Sequence, residues 1–230
     1  MTMNVKFENI SKIFSGRRGT VTALDDISLE IEEGQFVVIQ GPSGSGKTTL
    51  LQILGGMMRP SRGRVWMGDT DLYAMSVKER ARFRARNIGF VFQMFHLIPY
   101  LTVEENVMAA AGVESRLTIR KEARDLLDQF GLRDRIYHLP AQLSAGEKQR
   151  TAIARAMITQ PRMILADEPT GNLDPHNARE VLDLLAKFNR QGRMVILVTH
   201  GPVADLRASR WFDIRQGRIE EKLAASQIST

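Results

Sequence analysis

Three short runs near the start of the chain carry apolar residues at strand spacing: Val5 to Ile10, Ile27 to Ile31 and Gln35 to Gln40, with Glu33-Gly34 as the turn before the third. They predict an opening antiparallel β portion. Farther along, Ile88 to Phe92, Met163 to Asp167 and Met194 to Thr199 are strand-length and almost wholly apolar, with helical stretches between them. A strand covered on both faces has no polar side, so these runs predict a parallel sheet wrapped by helices. Two of them end in polar groups, Asp167 and Thr199, at the carboxyl end, where open α/β sheets bind ligands. Between Val103 and Leu139 the strand signal stops; Ala123, Leu126, Leu127 and Phe130 recur at helical spacing and Gly131 ends the run, which predicts a helical insert.

Composition narrows the possibilities. The 230 residues suit one large domain or two small ones. The chain has no cysteine, which excludes disulfides and thiolate metal sites. Its 4 histidines, His96, His138, His176 and His200, lack the spacing of a zinc site. A reducing cytoplasm suits such a chain. Nothing at the start resembles an export signal, and no apolar run approaches the roughly 20 residues of a membrane helix. Work at a membrane would need a partner that supplies the span. The net charge of +6 and the cluster Arg80, Arg82, Arg84 and Arg86 raise the question of nucleic acid, but these arginines alternate with Ala81, Phe83 and Ala85 and read as a solvated face. No nucleic-acid partner is expected. The last residues, Ala224 to Thr230, read as a loosely held tail.

The strongest chemistry lies in Gly41-Pro42-Ser43-Gly44-Ser45-Gly46-Lys47-Thr48, directly after an apolar strand and directly before the helical run that starts at Thr49. This is a phosphate-loop pattern in the context that it requires. Its glycines allow successive backbone N–H groups to point into one hollow, and the following helix adds its positive end. Lys47 then reaches the β and γ phosphates, and the Thr48 hydroxyl is offered to Mg²⁺. The acidic pair Asp167-Glu168 supplies the second half: Asp167 for Mg²⁺, Glu168 as the general base that orients and deprotonates water.

With Leu143-Ser144-Ala145-Gly146-Glu147 ahead of that pair, the sequence resembles the ABC ATPase family, whose signature there is usually Leu-Ser-Gly-Gly-Gln. The resemblance covers nearly the whole chain and implies an α/β fold: an ABC-type P-loop ATPase with a parallel-sheet core, an N-terminal antiparallel β portion and a helical insert. It implies a single domain, with core segments 1–92 and 160–230 and an insert at 93–159 that carries the signature. It also implies site roles: Phe14 stacking on adenine, Gln93 contacting Mg²⁺ and the lytic water, Asp174 in the loop Gly171 to Asp174, and His200 bonding the γ-phosphate and Glu168. The implied cofactors are ATP and Mg²⁺.

Ser144-x-x-Glu147 before a helical run is also a capping box, hence a helix start. A start so capped exposes N–H groups and a positive dipole end, and the resemblance implies that it faces the γ-phosphate held by a second copy, so that two chains close head to tail over two ATP molecules. Ser144, Gly146 and Glu147 thereby join the nucleotide site. Ala145 and Glu147 depart from the usual residues, adding a methyl group and a negative charge near the phosphate, and the expectation is weaker closure.

Leu165 to Asp174, Gly89 to Gln93 and Leu101 to Val107 are similar to the lipoprotein-releasing and macrolide-exporter branch, which includes a cell-division member. That branch implies an ATPase at the cytoplasmic face of the inner membrane, bound peripherally to a separate integral membrane permease. Phe95, Leu97, Ile98 and Tyr100 are either core packing or contacts to such a permease. The main expectation is a transport motor; the alternative is an ATP-dependent regulator of a cell-division complex. A soluble ABC ATPase acting on DNA or ribosomes fits less well, because the chain has neither a long coiled-coil insertion nor tandem ATPase domains.

Overall fold

The computed structural model describes residues 3–17, 19–111, 116–201, 206 and 208–222. The tail at Ala224 to Thr230 lies outside these residues. In chain order the elements are β1 (Val5–Gly16), β2 (Gly19–Ile31), β3 (Phe36–Gln40), α1 (Lys47–Leu54), β4 (Arg62–Met67), β5 (Thr70–Asp71), α2 (Val77–Asn87), β6 (Ile88–Phe92), α3 (Val103–Met108), α4 (Arg116–Gln129), α5 (Ala145–Met157), β7 (Met163–Asp167), α6 (Pro175–Asn189), β8 (Met194–Thr199), β9 (Arg210–Arg215) and β10 (Arg218–Lys222).

Two sheets result. One is antiparallel, in the order β2-β1-β4-β5; the other has six strands in the order β10-β9-β3-β8-β7-β6. In the second, β9, β3, β8, β7 and β6 run parallel to their neighbours and β10 returns antiparallel along one edge. The first two expected strands prove much longer than their apolar cores, because polar hairpin residues as far as Gly16 and Gly19 continue the ladder. The third corrects the sequence reading. Residues Phe36–Gln40 leave the antiparallel portion and become an inner strand of the parallel sheet, between β8 and β9. Their four buried apolar residues in a row already fit a strand covered on both faces.

Burial divides into two layers either side of the parallel sheet. Val37, Ile39, Leu165, Ile196 and Val198 face the antiparallel sheet and α1; Val38, Ile164, Ala166, Val195 and Leu197 face α3, α4, α5 and α6. Alternate residues of one strand serve opposite layers, the period of two that a strand dictates.

Helix starts are set locally. Ser76 with Glu79, Thr102 with Glu105 and Ser144 with Glu147 each form a complete capping box. Such a cap contributes about 1 kcal/mol. The arginine cluster lies on α2 and is only partly a solvated face. Arg80 donates to the carbonyls of Gly56 and Met75, and Arg84 Nη1 also donates to Gly56 O, so this pair ties α2 to the end of α1. Helix α5 lies hard against β6: a Cβ on Gly89 would come within 2.4 Å of the Ala156 carbonyl oxygen.

Candidate active site

Register brings the predicted residues together. Gln40 pairs with Thr199, Asp167 with Val198, and Phe92 with Asp167. The residues that follow these strand ends, Gly41, His200, Glu168 and Gln93, therefore emerge side by side at one edge of the parallel sheet.

The loop after β3 owes its shape to close backbone approaches. A Cβ on Gly41 would lie 2.2 Å from Ile214 O, and one on Gly46 2.4 Å from Ala23 O. Gly44 and Gly46 also have φ of 77° and 107°, the left-handed region open to glycine. Gly46 caps α1 without any side-chain bond, so the free N–H groups at the start of that helix face the loop hollow. Lys47 is almost fully buried, and its Nζ donates to the carbonyls of Gly41 and Pro42, each at 2.8 Å. Ser45 Oγ, also buried, has no hydrogen-bond partner. A buried orphan hydroxyl inside a ring of N–H groups suits an anionic oxygen. Pro42, Ser43 and Gly44 form the exposed rim, and Thr49 follows in the first turn of α1.

Across the hollow, Glu168 has φ of 48°, unusual for a glutamate, and its amide donates to Val198 O. Its Oε1 lies 2.9 Å from His200 Nδ1 and 3.7 Å from Lys47 Nζ, while Oε2 accepts the His200 amide at 3.1 Å. The carboxylate is thus fixed by a histidine from the next strand and held within reach of the lysine.

Asp167 is half-buried, and burial raises its carboxyl above the ordinary aspartate range; the hydrogen bond from Thr48 opposes this, the Glu168 charge adds to it, and Lys47 lowers it. Its Oδ1 is buried with no partner. An orphan carboxylate oxygen beside a threonine hydroxyl suits Mg²⁺, which takes one or two carboxylates and completes its shell with phosphate and water.

Gln93 sits against the loop after Glu168: its Nε2 would be 2.9 Å from a Cβ on Gly171, and its carbonyl accepts from Asn172 Nδ2 at 3.2 Å. The next turn contains two residues in the left-handed region, Phe95 and His96. Arg155 near the end of α5 grips it, with Nη2 donating to Phe95 O at 2.8 Å and Nη1 to His96 O at 2.5 Å. Sequence reasoning missed Arg155, because nothing near it in the chain announces acceptors 59 and 60 residues away. Phe14 lies near the open end of β1, paired with Val21, two residues from the Ala23 carbonyl that abuts Gly46. Its ring is half-exposed, with Lys12 Nζ 5.1 Å from the centroid.

Ser144, Gly146 and Glu147 form a separate group at the start of α5, which no hydrogen bond or ion pair among the described residues joins to Lys47 or Glu168. Gly146 is the close-approach point: a Cβ there would lie 1.9 Å from Asn177 Oδ1 at the start of α6. Asp174 caps that helix, accepting from the amides of His176 and Asn177.

A phosphate loop at the end of an inner parallel strand, flanked by an antiparallel sheet and helices, is the fold of an ATPase cassette. The structure is similar to that of MJ0796, a dimeric ATP-binding cassette in a post-hydrolysis state bound to ADP and Pi, with a TM-score of 0.87 and 38% identity over 96% of this chain and 99% of that one. Residues 24–171 match the ABC transporter family model, and the chain belongs to that family. Among curated relatives it is 41% identical to the lipoprotein-releasing system ATP-binding protein LolD of Bordetella pertussis, over 93% of this chain and 94% of LolD. It is 44% identical to the macrolide export ATP-binding/permease protein MacB of Bartonella henselae, over 92% of this chain but 32% of that longer protein.

Proposed function

We propose that this chain is the ATP-hydrolysing motor of a transport or extrusion complex, working as a head-to-tail pair bound to a separate membrane permease. The observation that carries the reading is the triangle of Lys47, Glu168 and His200 beneath the phosphate loop. In the proposed reaction the loop amides and Lys47 hold the triphosphate. Glu168, oriented by His200, takes a proton from the attacking water. Gln93 stands at the adjacent strand end, where it can orient that water. Mg²⁺, when bound by Thr48, Asp167 and Gln93, neutralises charge on the phosphates. Ser144, Gly146 and Glu147 serve the nucleotide of the second copy, as the cassette dimer of MJ0796 supports. Phe14 stacks on the adenine. Asp174 keeps its proposed place at the nucleotide at the end of the loop Gly171 to Asp174, where it caps α6.

No helix among the described residues is long and apolar enough to cross a membrane, so the proposed place is peripheral, on the cytoplasmic face, with the permease supplying the span. MacB, an ATP-binding/permease protein, and LolD, the ATP-binding protein of a lipoprotein-releasing system, support this reading. A groove of about 260 Å³ between β6 and α5, lined by Phe90, Phe92, Ala110, Arg155 and Thr159, lies next to the Gln93 loop and offers such a partner a seat. The exposed Tyr100 and the half-buried Phe95, Leu97 and Ile98 extend that surface.

Glu168→Gln tests the reading. It should retain ATP binding, slow turnover by a factor of about 10² to 10⁴, and accumulate an ATP-bound dimer on size-exclusion chromatography. Normal turnover would remove Glu168 from its role. Recovery of the membrane partner, followed by a solute-flux assay, separates a transport motor from a cell-division regulator.

A further inference from the structure

The start of α5 carries a charge that the common signature lacks. Glu147 Oε2 accepts the Ser144 amide at 2.8 Å, as a capping-box residue should, but Oε1 accepts Arg135 Nε, also at 2.8 Å. Arg135 ends the short 3₁₀ turn Arg133–Arg135, and its Nη1 lies 3.3 Å from His138 Nε2. Among the described residues Arg135 makes an ion pair with Glu147 alone. Glu147 is mostly buried and Arg135 about half-exposed, their side chains retaining 17% and 45% of their full accessibility. The arginine is therefore the wet member of the pair.

Simple charge arithmetic shows what the pair does. A helix start contributes roughly half a positive charge. A bare carboxylate there would reverse the sign, leaving about half a negative charge to meet an incoming anion. Adding the guanidinium restores about half a positive charge. The remaining donors point the same way: Ser144 Oγ accepts the Glu147 amide, whereas no hydrogen bond is made by the amides of Ala145 and Gly146 within the described residues.

We propose that Arg135 is a positioning residue for the ATPase cycle: it cancels the Glu147 charge, so that the start of α5 still attracts the triphosphate held by a second copy. The inference rests on the head-to-tail reading given above, and it alters one expectation. Glu147 alone would weaken closure; Glu147 paired with Arg135 does not.

A four-variant cycle tests it, using the full chain in the Glu168→Gln background and reading the ATP concentration for half-maximal dimer by light scattering. Arg135→Ala should raise that concentration roughly three- to tenfold, the scale of one partly exposed charge, with the deficit shrinking as salt is added. Glu147→Gln, which leaves the Arg135 guanidinium unopposed beside the helix start while an amide oxygen still accepts the Ser144 amide, should lower that concentration roughly three- to tenfold. Combining the two should abolish most of the Arg135→Ala deficit, and binding of a fluorescent ATP analogue to the monomer should not change in any variant. Arg135→Gln, which keeps most of the side-chain length, serves if the alanine variant unfolds. A deficit that persists in the double variant would mean that Arg135 merely packs, and no deficit at all would equally overturn the inference. A parent that forms no ATP-dependent dimer would overturn the head-to-tail reading and this inference with it.

Discussion

Lys47 Nζ stands 3.7 Å from Glu168 Oε1, although the two residues are 121 positions apart in the chain. The contact spans the hollow of the phosphate loop, so the cation that would meet a phosphate and the carboxylate that would take a proton from water share one small volume. His200, on the third side, fixes the carboxylate with a 2.9 Å contact. The two partners of Glu168 lead to different predictions.

Lys47→Ala should lower ATP affinity by about a hundredfold or more, because it removes the buried cation whose Nζ lies at the loop carbonyls of Gly41 and Pro42. His200→Ala should leave affinity within a few-fold and slow hydrolysis by roughly ten- to a hundredfold, since its imidazole fixes the Glu168 carboxylate. Fluorescent-nucleotide titration and phosphate-release rates separate the two effects. Equal losses of affinity would contradict the division of labour.

Arg155 makes a second prediction. Its two hydrogen bonds go to the carbonyls of consecutive residues in left-handed conformation. Burial pushes the guanidinium pKa down, and no carboxylate among the described residues compensates it. Arg155→Ala should cost about 1–3 kcal/mol of stability by orphaning those carbonyls. Lysine should not rescue it fully, since a single ammonium does not reproduce the planar two-donor fork. Denaturant unfolding gives the stability change. Turnover should fall further than the stability loss explains, as the loop after Gln93 loses its support.

At the start of α5, Ala145 and Gly146 should respond in opposite ways to exchange. Gly146→Ala would put a methyl 1.9 Å from Asn177 Oδ1, an oxygen that accepts from Arg150 while the Nδ2 of the same amide donates to Asp174, so the amide is held from both sides. The expected cost is about 1–3 kcal/mol, with a matching loss of ATPase activity. Ala145→Gly touches no such contact and should change stability by less than about 1 kcal/mol. Thermal unfolding of the two variants side by side provides the check.

Glu147 gives a pH prediction. The Ser144 amide first, and the Arg135 guanidinium with it, hold its carboxyl down at about 2, against 4.5 for a free glutamate. A group depressed on folding contributes stability above its unfolded value and loses it as the pH falls toward its folded one. The gap in stability between wild type and Glu147→Gln should therefore be full at neutral pH, shrink below about pH 4.5, and close near pH 2. Urea unfolding at a series of pH values measures it; a gap that does not change with pH would assign the cost to something other than the charge.

Much of this site could be read from the chain because its signals are short. The phosphate loop, the acidic pair and the capping box each occupy fewer than ten consecutive residues, and each has a local physical reason for its spelling. Strands Ile88–Phe92, Met163–Asp167 and Met194–Thr199 were equally plain, being unbroken apolar runs of the length expected. What escaped was long-range. Arg80 and Arg84 looked solvated until the fold set the Gly56 carbonyl beside them. The polar strands β4, β9 and β10 carry no continuous apolar run and are fixed by their neighbours in the sheet. For strand β3, adjacency in sequence suggests a hairpin, whereas its hydrogen-bonding partners are β8 and β9, more than 150 residues later.

Helix α5 has business at both ends. Its first residues form the charged, capped tip next to Arg135, and Arg155 in its final turn clasps the segment that follows Gln93. A 13-residue helix is a rod of about 20 Å, so the two tips sit at a fixed separation. The capped tip and the Gln93 segment are thus tied to one stiff element, whose far end Ala156 seats against Gly89 of β6.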